Sequence, residues 1–402
     1  MKPRMMMIGG LTEVYQKAQA CGFDLTVVQD KSRISAVDMG FIDQLITAPI
    51  DDPVLVDLVT VLHRAKPFES VLSFQEFGVM NAALIRERLG LFGNPLRPVT
   101  LTRDKGRMRA HLRAAGISTV PHRLSNSARE IMSFAEEVGW PIILKPRDGA
   151  GSCLVYKVTG SSELDRALAH IFAINPHAEL IAEQFMVGPE VSVEALTWEG
   201  KHQILMVTDK LTTGEPHFVE MGHDMPSRLE PEQLAGIRQL TTAFLDSIGH
   251  MYGPSHTEII LTENGPTIVE SHTRTGGDQI FEMVEIAIGV DIFSAVLRGF
   301  MGDYPWPLPN GRGGAASIRF LDFKPGVVTQ FSGLEEARRS PGVLRVECQI
   351  CPGSTIVPIR DSLTRPGYVL AAGGSTQEAA SAAEAAARKI HVRVEPGQAR
   401  EQ

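Results

Sequence analysis

Residues 256–278 read His-Thr-Glu-Ile-Ile-Leu-Thr-Glu-Asn-Gly-Pro-Thr-Ile-Val-Glu-Ser-His-Thr-Arg-Thr-Gly-Gly-Asp and are the most informative stretch of this 402-residue chain. The pattern predicts two apolar β-strands joined by a Glu-Asn-Gly-Pro turn. Glu258 falls on the first strand, Glu270 on the second, and Arg274 follows the second strand. Such a hairpin aims two carboxylates and a guanidinium into one cleft.

These three side chains suit a site for phosphates and a hard cation. Mg²⁺ prefers a few carboxylate oxygens together with substrate phosphates and water, so Glu258 and Glu270 are candidate ligands. Arg274 can bind a phosphate or a carboxylate through two parallel hydrogen bonds. An isolated hairpin of this kind would more often carry its charges on a solvated face, and it is the upstream sequence that favours a site.

Composition excludes several classes of function. The formal net charge of −8 and the lack of basic blocks argue against a nucleic-acid or membrane-surface binder. No apolar run approaches the roughly twenty residues of a membrane span, so we expect a cytoplasmic protein. Four cysteines in a chain this long do not make a disulfide framework, and the length predicts about two to four domains.

The first hundred residues alternate between strand and helix patterns, which predicts a small parallel α/β domain. Strands are expected at 4–8, 24–28, 44–47 and 70–74, and helices at 12–20, 53–65 and 78–89. Gly9-Gly10 after the first strand falls short of a dinucleotide fingerprint and is better explained as a tight turn. We expect loops of this domain to form a wall of the substrate site.

A second informative stretch of sequence combines two lysines with a glycine-rich loop. Lys105 precedes a helix predicted at 106–115, and Lys145 ends an apolar strand that leads into Gly149-Ala-Gly151-Ser152 and a second strand. Glycines let backbone N–H groups close around phosphate oxygens, while lysine supplies a point charge. A plain glycine hairpin with an incidental lysine is the alternative.

The run at 179–194 predicts a strand, a hinge at Phe185-Met186-Val-Gly-Pro, and a further strand from Glu190. A hinge of this kind can offer backbone groups to an adenine edge between apolar side chains, with an acid nearby for ribose hydroxyls. A simple strand-turn-strand is the alternative.

The order of these motifs, over roughly residues 100 to 300, resembles the ATP-grasp superfamily of carboxylate-amine and carboxylate-thiol ligases. The segment Asp209 to Pro226, taken with Glu270-x-x-x-Arg274-x-Gly-Gly277, looks like the L-amino-acid ligase (dipeptide synthetase) group. The resemblance implies an α/β and α+β ATP-grasp fold. It places a Rossmann-like parallel domain at 1–99, the ATP-grasp domain at 100–302 with its ATP-binding lobe at 143–198, and an α+β cap domain at 303–402.

The same resemblance implies roles for individual residues. The reacting carboxylate would face Arg274 and His223, with Glu220 as a further catalytic residue or additional metal ligand. Mg²⁺, or Mn²⁺ in its place, would be held by Glu258 and Glu270. The ATP-binding residues would be Lys105, Lys145, Gly149, Gly151, Ser152, Glu183, Phe185, Met186 and Glu190, and the substrate-binding residues Gly276, Gly277 and Asp278.

Four features of the sequence remain open. His272 stands where many ATP-grasp enzymes have a metal-binding asparagine, and because imidazole suits Mg²⁺ poorly we exclude it from the metal set. Asp278 could pair with a substrate ammonium, but capping a helix at 279–288 is the favoured interpretation. Residues 209–226 are a candidate lid over the reaction. The cap domain, entered through a loop at 302–314, shows no catalytic residue.

The resemblance implies an ATP-dependent ligase that forms an amide bond through an acyl phosphate and releases ADP and phosphate. Two amino acids, or an amino acid and a small carboxylic acid, are the expected substrates, although no motif encodes their identity. A biotin-carboxylase-like or purine-pathway ligase, a kinase and a non-catalytic nucleotide-binding module are alternatives. We expect a homodimer and no nucleic-acid or membrane partner.

Overall fold

The computed structural model of the protein describes residues 2–304, 306–308 and 313–395. Parts of the predicted loop at 302–314 and the last residues of the predicted cap domain therefore lie outside the described residues. Within these ranges no helix combines the length and apolar character that crossing a membrane requires. The four cysteines are all free, as the sequence predicts.

The N-terminal domain is a four-stranded parallel sheet with helices packed against it, as predicted. The strand order is β3-β2-β1-β4, and every pairing is parallel. Residues 5–8 of β1 are fully buried because helices cover such a sheet. The elements are β1 (Arg4–Ile8), α1 (Thr12–Ala20), β2 (Asp24–Gln29), β3 (Gln44–Thr47), α2 (Val54–Ala65), β4 (Ser70–Leu72) and α3 (Val79–Leu89).

Two helices that follow, α4 (Leu96–Arg103) and α5 (Lys105–Ala114), lead into the next domain. Helix α4 was not predicted from the sequence, and its Pro98 lies in the first turn, where a missing N–H costs little. Helix α5 begins at Lys105 because the Asp104 side chain caps it by accepting the Arg107 N–H. This cap fixes where the Lys105 side chain leaves the helix.

A second, antiparallel sheet forms a small lobe with strand order β5-β8-β6-β7. Helices α6 and α7 bury its apolar face around Phe134, Leu144 and Leu164. The elements are β5 (His122–Leu124), α6 (Ala128–Val138), β6 (Ile142–Pro146), β7 (Tyr156–Val158), α7 (Ser161–Ile174) and β8 (Leu180–Gln184). The lobe sheet therefore spans 122–184, whereas the prediction placed the lobe at 143–198.

The largest sheet has eight strands in the order β13-β12-β9-β10-β11-β14-β18-β16, with antiparallel neighbours throughout. Its first part contains β9 (Glu190–Trp198), β10 (Lys201–Thr212), β11 (Glu220–Met225), α8 (Pro231–Ile248), β12 (Tyr252–Thr262), β13 (Gly265–His272), α9 (Ile280–Ile288) and α10 (Ile292–Phe300). The hairpin predicted from residues 256–278 is confirmed as β12 and β13, with Glu258 directly opposite Glu270.

The C-terminal region continues this sheet across the boundary expected at 302, because β14 pairs with β11. A three-stranded sheet, β17-β15-β19, lies beside it. The elements are β14 (Ala315–Phe320), β15 (Gly326–Ser332), α11 (Leu334–Arg338), β16 (Val343–Cys348), β17 (Thr355–Ile356), a 3₁₀ helix (Ser362–Thr364), β18 (Gly367–Gly373), α12 (Thr376–Ala387) and β19 (His391–Glu395). Backbone pairing thus fixes the C-terminal region against the central sheet.

Two local predictions differ from the structure. Helix α9 begins at Ile280 with Gln279 at its N-cap and without a side-chain cap, so the prediction that Asp278 caps it is wrong. In the candidate lid at 209–226, residues up to Thr212 and from Glu220 to Met225 are strands of the large sheet. The lid prediction therefore applies only to the connection at 213–219, which lies between these two strands.

Candidate active site

One cavity of about 750 Å³ brings together the glycine-rich loop, the hinge after β8 and the charged ends of the central strands. Gly276 does not line it, and its N–H instead points to the Glu194 Oε2 atom at 3.4 Å. None of the described residues of the N-terminal domain lines it either, contrary to expectation. The predicted site residues in its wall are Lys105, Lys145, Gly149, Gly151, Ser152, Glu183, Phe185, Met186, Glu190, Glu220, His223, Glu258, Glu270, Arg274, Gly277 and Asp278.

Two buried lysines meet at the glycine-rich loop. The Lys105 Nζ atom donates to the Gly149 carbonyl at 2.6 Å and lies 3.2 Å from the Glu270 Oε2 atom. The Lys145 Nζ atom lies 2.7 Å from the Glu183 Oε2 atom. Both side chains are more than nine-tenths buried. Two cations beside a glycine loop form a setting that favours an anion such as a phosphate.

Glu183 is held by two cations at once. The Arg109 Nε atom binds its Oε1 atom at 2.5 Å, and Arg109 also donates to the carbonyls of Ile268 and Val269. Burial alone would raise the pKa of Glu183, but Arg109 and Lys145 lower this pKa to about 2. The carboxylate therefore stays ionised and fixes Lys145 in place. Arg109 was not predicted as a site residue, because it lies inside α5 among many charged residues.

The hinge after β8 is tied to the end of β12. Gly188 has φ +152°, and a Cβ atom there would lie 1.9 Å from the Leu261 carbonyl oxygen. The Leu261 N–H donates to the Pro189 carbonyl at 2.9 Å. On the cavity side, the Lys157 ammonium lies 4.4 Å from the centre of the Phe185 ring. The close approach of Gly188 to the Leu261 carbonyl leaves no room for a side chain, so it requires glycine and fixes the hinge backbone.

We predict that Gly188→Ala lowers the free energy of unfolding by about 1–3 kcal/mol, because the new methyl group forces the hinge off Leu261. Urea unfolding followed by circular dichroism measures this change. Gly214→Ala is the matched control, since Gly214 also has positive φ, at +70°, but open space around it. An equal loss in both variants would show that the close approach does not matter.

Lys210, which the sequence analysis did not single out, is surrounded by three carboxylates. Its Nζ atom lies 2.6 Å from Glu190, 3.0 Å from Glu258 and 3.4 Å from Glu220. The lysine side chain is 3% exposed. Burial, together with the neighbouring charges of Glu258 and Glu220, raises the pKa of Glu190 despite this lysine. One cation facing three acids leaves the group with an excess of negative charge.

Histidines support the facing acids Glu258 and Glu270. The His256 Nδ1 atom lies 2.6 Å from Glu194 and its Nε2 atom 3.3 Å from Glu258. Although burial alone lowers the pKa of His256, Glu194 raises this pKa to about 9, so His256 carries a positive charge. The His272 Nε2 atom lies 3.3 Å from Glu270. His272 thus contacts an acid of the predicted metal pair.

Glu76 of the N-terminal domain anchors Arg274 from behind the cavity wall. Its Oε2 atom accepts from the Arg274 Nε atom at 2.7 Å and lies 2.8 Å from the His272 Nδ1 atom, without hydrogen-bond geometry. Arg103 also pairs with Glu76. Burial alone would raise the pKa of Glu76, but His272 and Arg274 hold it well below its ordinary value. The N-terminal domain therefore positions the predicted catalytic arginine.

The C-terminal region also reaches the cavity, although the sequence indicates no catalytic residue in it. Ser362 lines the cavity and donates to the Glu220 Oε2 atom at 3.1 Å. Its N–H donates to the Gly151 carbonyl at 3.3 Å. Arg365 binds the Asp278 carboxylate through both terminal nitrogens. The C-terminal region thus lines the cavity directly, whereas the N-terminal domain acts on it through the contact of Glu76 with Arg274.

Three parts of the chain match known domain families. Residues 15–93 match the ATP-grasp N-terminal domain, residues 138–282 the ATP-grasp domain, and residues 319–395 the L-amino acid ligase C-terminal domain 2. The structure resembles a crystal structure of L-amino acid ligase from Bacillus licheniformis, with a TM-score of 0.84, 21% identity, and coverage of 98% of this chain and 99% of that one. The two proteins share a fold.

The sequence relatives also include a ligase. Alanine–anticapsin ligase from Bacillus subtilis is 25% identical over 317 residues, which cover 72% of this chain and 67% of that protein. An uncharacterized protein, y4rH, from Sinorhizobium fredii is 28% identical over 300 residues, covering 73% of this chain but only 61% of that relative. The domain matches and the shared fold agree with the motif order around the cavity. The chain therefore carries an ATP-grasp N-terminal domain, an ATP-grasp domain and the L-amino acid ligase C-terminal domain 2, in that order.

Proposed function

We propose that the protein is an ATP-dependent ligase that joins a carboxylate to an amine, most simply two amino acids, through an acyl phosphate, releasing ADP and phosphate. The observation that carries this proposal is one cavity whose wall contains Lys105, Lys145 and the glycine-rich loop together with Arg274, His223 and Asp278. A γ-phosphate and a substrate carboxylate can therefore meet within it. Because the sequence relatives include ligases for amino acids, we expect the product to be a small-molecule amide.

We assign ATP to the cavity between the lobe and the central sheet. Lys105, Lys145 and the loop Gly149–Ser152 would bind its phosphates, and the hinge residues Phe185 and Met186 its adenine. The acid Glu190 would bind the ribose. Glu183, whose two oxygens are already engaged by Arg109 and Lys145, would act on ATP by holding Lys145. Glu183 would therefore not contact adenosine directly, in contrast to the role that the family resemblance implies for it.

The residues present fit Mg²⁺, with Mn²⁺ as a substitute. Glu258 and Glu270 face each other across β12 and β13 and offer the carboxylate oxygens that hard cations prefer. Among the described residues, no group of three or more His, Cys, Asp and Glu side chains could hold a metal alone, so nucleotide oxygens and water would complete the shell. When bound, Mg²⁺ would neutralise phosphate charge.

Groups of the protein itself would carry out the rest of the chemistry. A carboxylate oxygen attacks the γ-phosphorus of ATP, and Lys105 and Lys145 stabilise the charge on the transferred group. An amine then attacks the carbonyl carbon of the acyl phosphate, and Arg274 stabilises the tetrahedral oxyanion, an effect worth about 3–4 kcal/mol per donor. Arg274 is held for this role by Glu76. The Gly277 amide, in the cavity wall, is a second candidate donor.

Phosphate release from ATP and Mg²⁺ with pooled amino acids, added singly and in pairs, tests this function. Mass spectrometry would identify the nucleotide product and any condensed product. We expect pair-dependent phosphate release, ADP, and a mass equal to two amino acids less one water. Nucleotide binding without turnover for any amino acid or wider acid pool would contradict the proposal.

A further inference from the structure

Arg365, in the C-terminal region, donates hydrogen bonds to neighbouring groups of the protein through all three of its guanidinium nitrogens. Its Nη2 and Nη1 atoms donate to the two Asp278 oxygens at 2.5 and 2.8 Å. The Nη1 atom also donates to the Glu220 carbonyl, and the Nε atom to the Ser362 carbonyl, each at 2.9 Å. The guanidinium lies 3.6 Å from the centre of the Phe320 ring. A group so engaged holds other side chains in place rather than binding substrate.

Asp278 in turn binds His223. The Asp278 Oδ2 atom lies 3.1 Å from the His223 Nε2 atom. Burial alone would raise the pKa of Asp278, but hydrogen bonds from His223 and Arg365 hold it well below its ordinary value. An ionised carboxylate only accepts hydrogen bonds, so Nε2 must carry the hydrogen. In a neutral ring the other nitrogen, Nδ1, is then the acceptor.

The His223 Nδ1 atom has no hydrogen-bond partner among the residues that the structure describes. The residue is 2% exposed overall, yet it belongs to the cavity wall together with Asp278. A buried acceptor without a partner calls for an explanation, because leaving it unpaired costs stability. Because the Nδ1 atom is itself buried, the missing donor has to come from a group that enters the wall beside His223, as a substrate N–H group in the cavity would.

The backbone at Asp278 is also unusual. Asp278 has φ +54° and Gln279 has φ +62°, two consecutive side-chain-bearing residues in the left-handed region. Such conformations cost free energy and persist where surrounding contacts impose them. Here the bidentate bond from Arg365 imposes the position of the Asp278 carboxylate. The strained turn therefore aims the carboxylate at His223 rather than at a helix end.

We propose that Arg365 and Asp278 are positioning residues that hold His223 in the tautomer that accepts the proton of the attacking amine. This inference rests on the proposed ligase function. As the C–N bond forms, the nitrogen proton passes to His223 Nδ1. The C–O bond to phosphate then breaks, and phosphate leaves with the electron pair. His223 returns the proton to the phosphate or to water, and Asp278 stabilises the imidazolium meanwhile.

Hydroxylamine separates this step from acyl phosphate formation, because its free base is the main form at neutral pH and needs no protein base. In Arg365→Met we expect hydroxamate formation to stay within about threefold of wild type, and amide formation from an amino-acid amine to fall about 10²-fold. Arg365→Lys, which keeps the charge without the bidentate geometry, should lie between. Arg388→Met, on an exposed side chain, is the control.

An equal loss of hydroxamate and amide, or no loss of amide, would overturn the positioning role. A second measurement does not depend on turnover. Nitrogen-15 NMR of labelled histidines, assigned with His223→Gln, should show the Nε2–H tautomer in wild type and more of the Nδ1–H tautomer in Asp278→Asn. An Nδ1–H tautomer in wild type would also overturn it. Wild-type protein that forms no hydroxamate with any acid would instead contradict the proposed function.

Discussion

Glutamine in place of Glu270 will lower ATP-dependent phosphate release by about 10³-fold or more, because the variant loses a carboxylate from the proposed Mg²⁺ pair. The same change removes the partner of Lys105, whose Nζ atom lies 3.2 Å from Glu270. Because Lys105 and Glu258 remain, the protein should fold and still bind nucleotide weakly. Initial rates at saturating ATP and substrates measure the loss.

Glu263→Gln is the matched control for this prediction. Glu263 lies in the turn of the same β12–β13 hairpin and is exposed. Its replacement should leave the rate within about twofold of wild type, since a solvated charge in a turn contributes little. A Glu270→Gln variant with nearly wild-type turnover would remove Glu270 from the metal site and leave the hairpin a structural role only.

The second large effect concerns stability. Glu183→Gln should lower the free energy of unfolding by about 3–5 kcal/mol, because it leaves two buried cations without their shared counter-charge. The Arg109 and Glu183 side chains are 1% and 3% exposed, and Lys145 is 7% exposed. Urea unfolding at pH 7 measures the difference. Arg109→Met combined with Glu183→Gln should recover part of the lost unfolding free energy, because the double variant removes one of the two buried cations that lack a counter-charge.

Glu179→Gln is the control for this charge effect, since Glu179 also binds an arginine but its side chain is 69% exposed. We expect it to cost less than about 1 kcal/mol. The pKa of Glu183 in the folded protein, about 2, lies below its ordinary value of 4.5. Its stabilisation is therefore complete above pH 4.5 and is lost as pH falls towards 2. A difference between wild type and Glu183→Gln that stays constant over this range would contradict the account.

Local sequence patterns predicted much of this molecule. The β12–β13 hairpin was predictable because a turn signal separates two apolar runs, whereas the pairing of Glu258 with Glu270 depends on a register shift between Glu258 and Ile259 that was not predicted. The parallel N-terminal sheet followed from strand and helix periods in the same way. The glycine-rich loop after Lys145 was also placed correctly between two strands. Each of these features depends on residues close together in the chain.

Long-range contacts account for what sequence reasoning missed. Glu76 lies 198 residues before Arg274, and Arg365 lies 87 residues after Asp278, so no local spacing links these pairs. The capping role predicted for Asp278 failed because the ion pair with Arg365 outweighs a local cap. The pairing of β14 with β11, which attaches the C-terminal region to the central sheet, is likewise a long-range contact that no local pattern predicts.

The acyl phosphate is the central claim, and oxygen transfer tests it most directly. An acid substrate carrying ¹⁸O in both carboxylate oxygens would be incubated with ATP, Mg²⁺, amine and protein, and the released phosphate analysed by mass spectrometry. Attack of the carboxylate on the γ-phosphorus predicts one ¹⁸O atom in each phosphate formed. Phosphate without ¹⁸O, at a rate equal to product formation, would contradict an acyl phosphate intermediate.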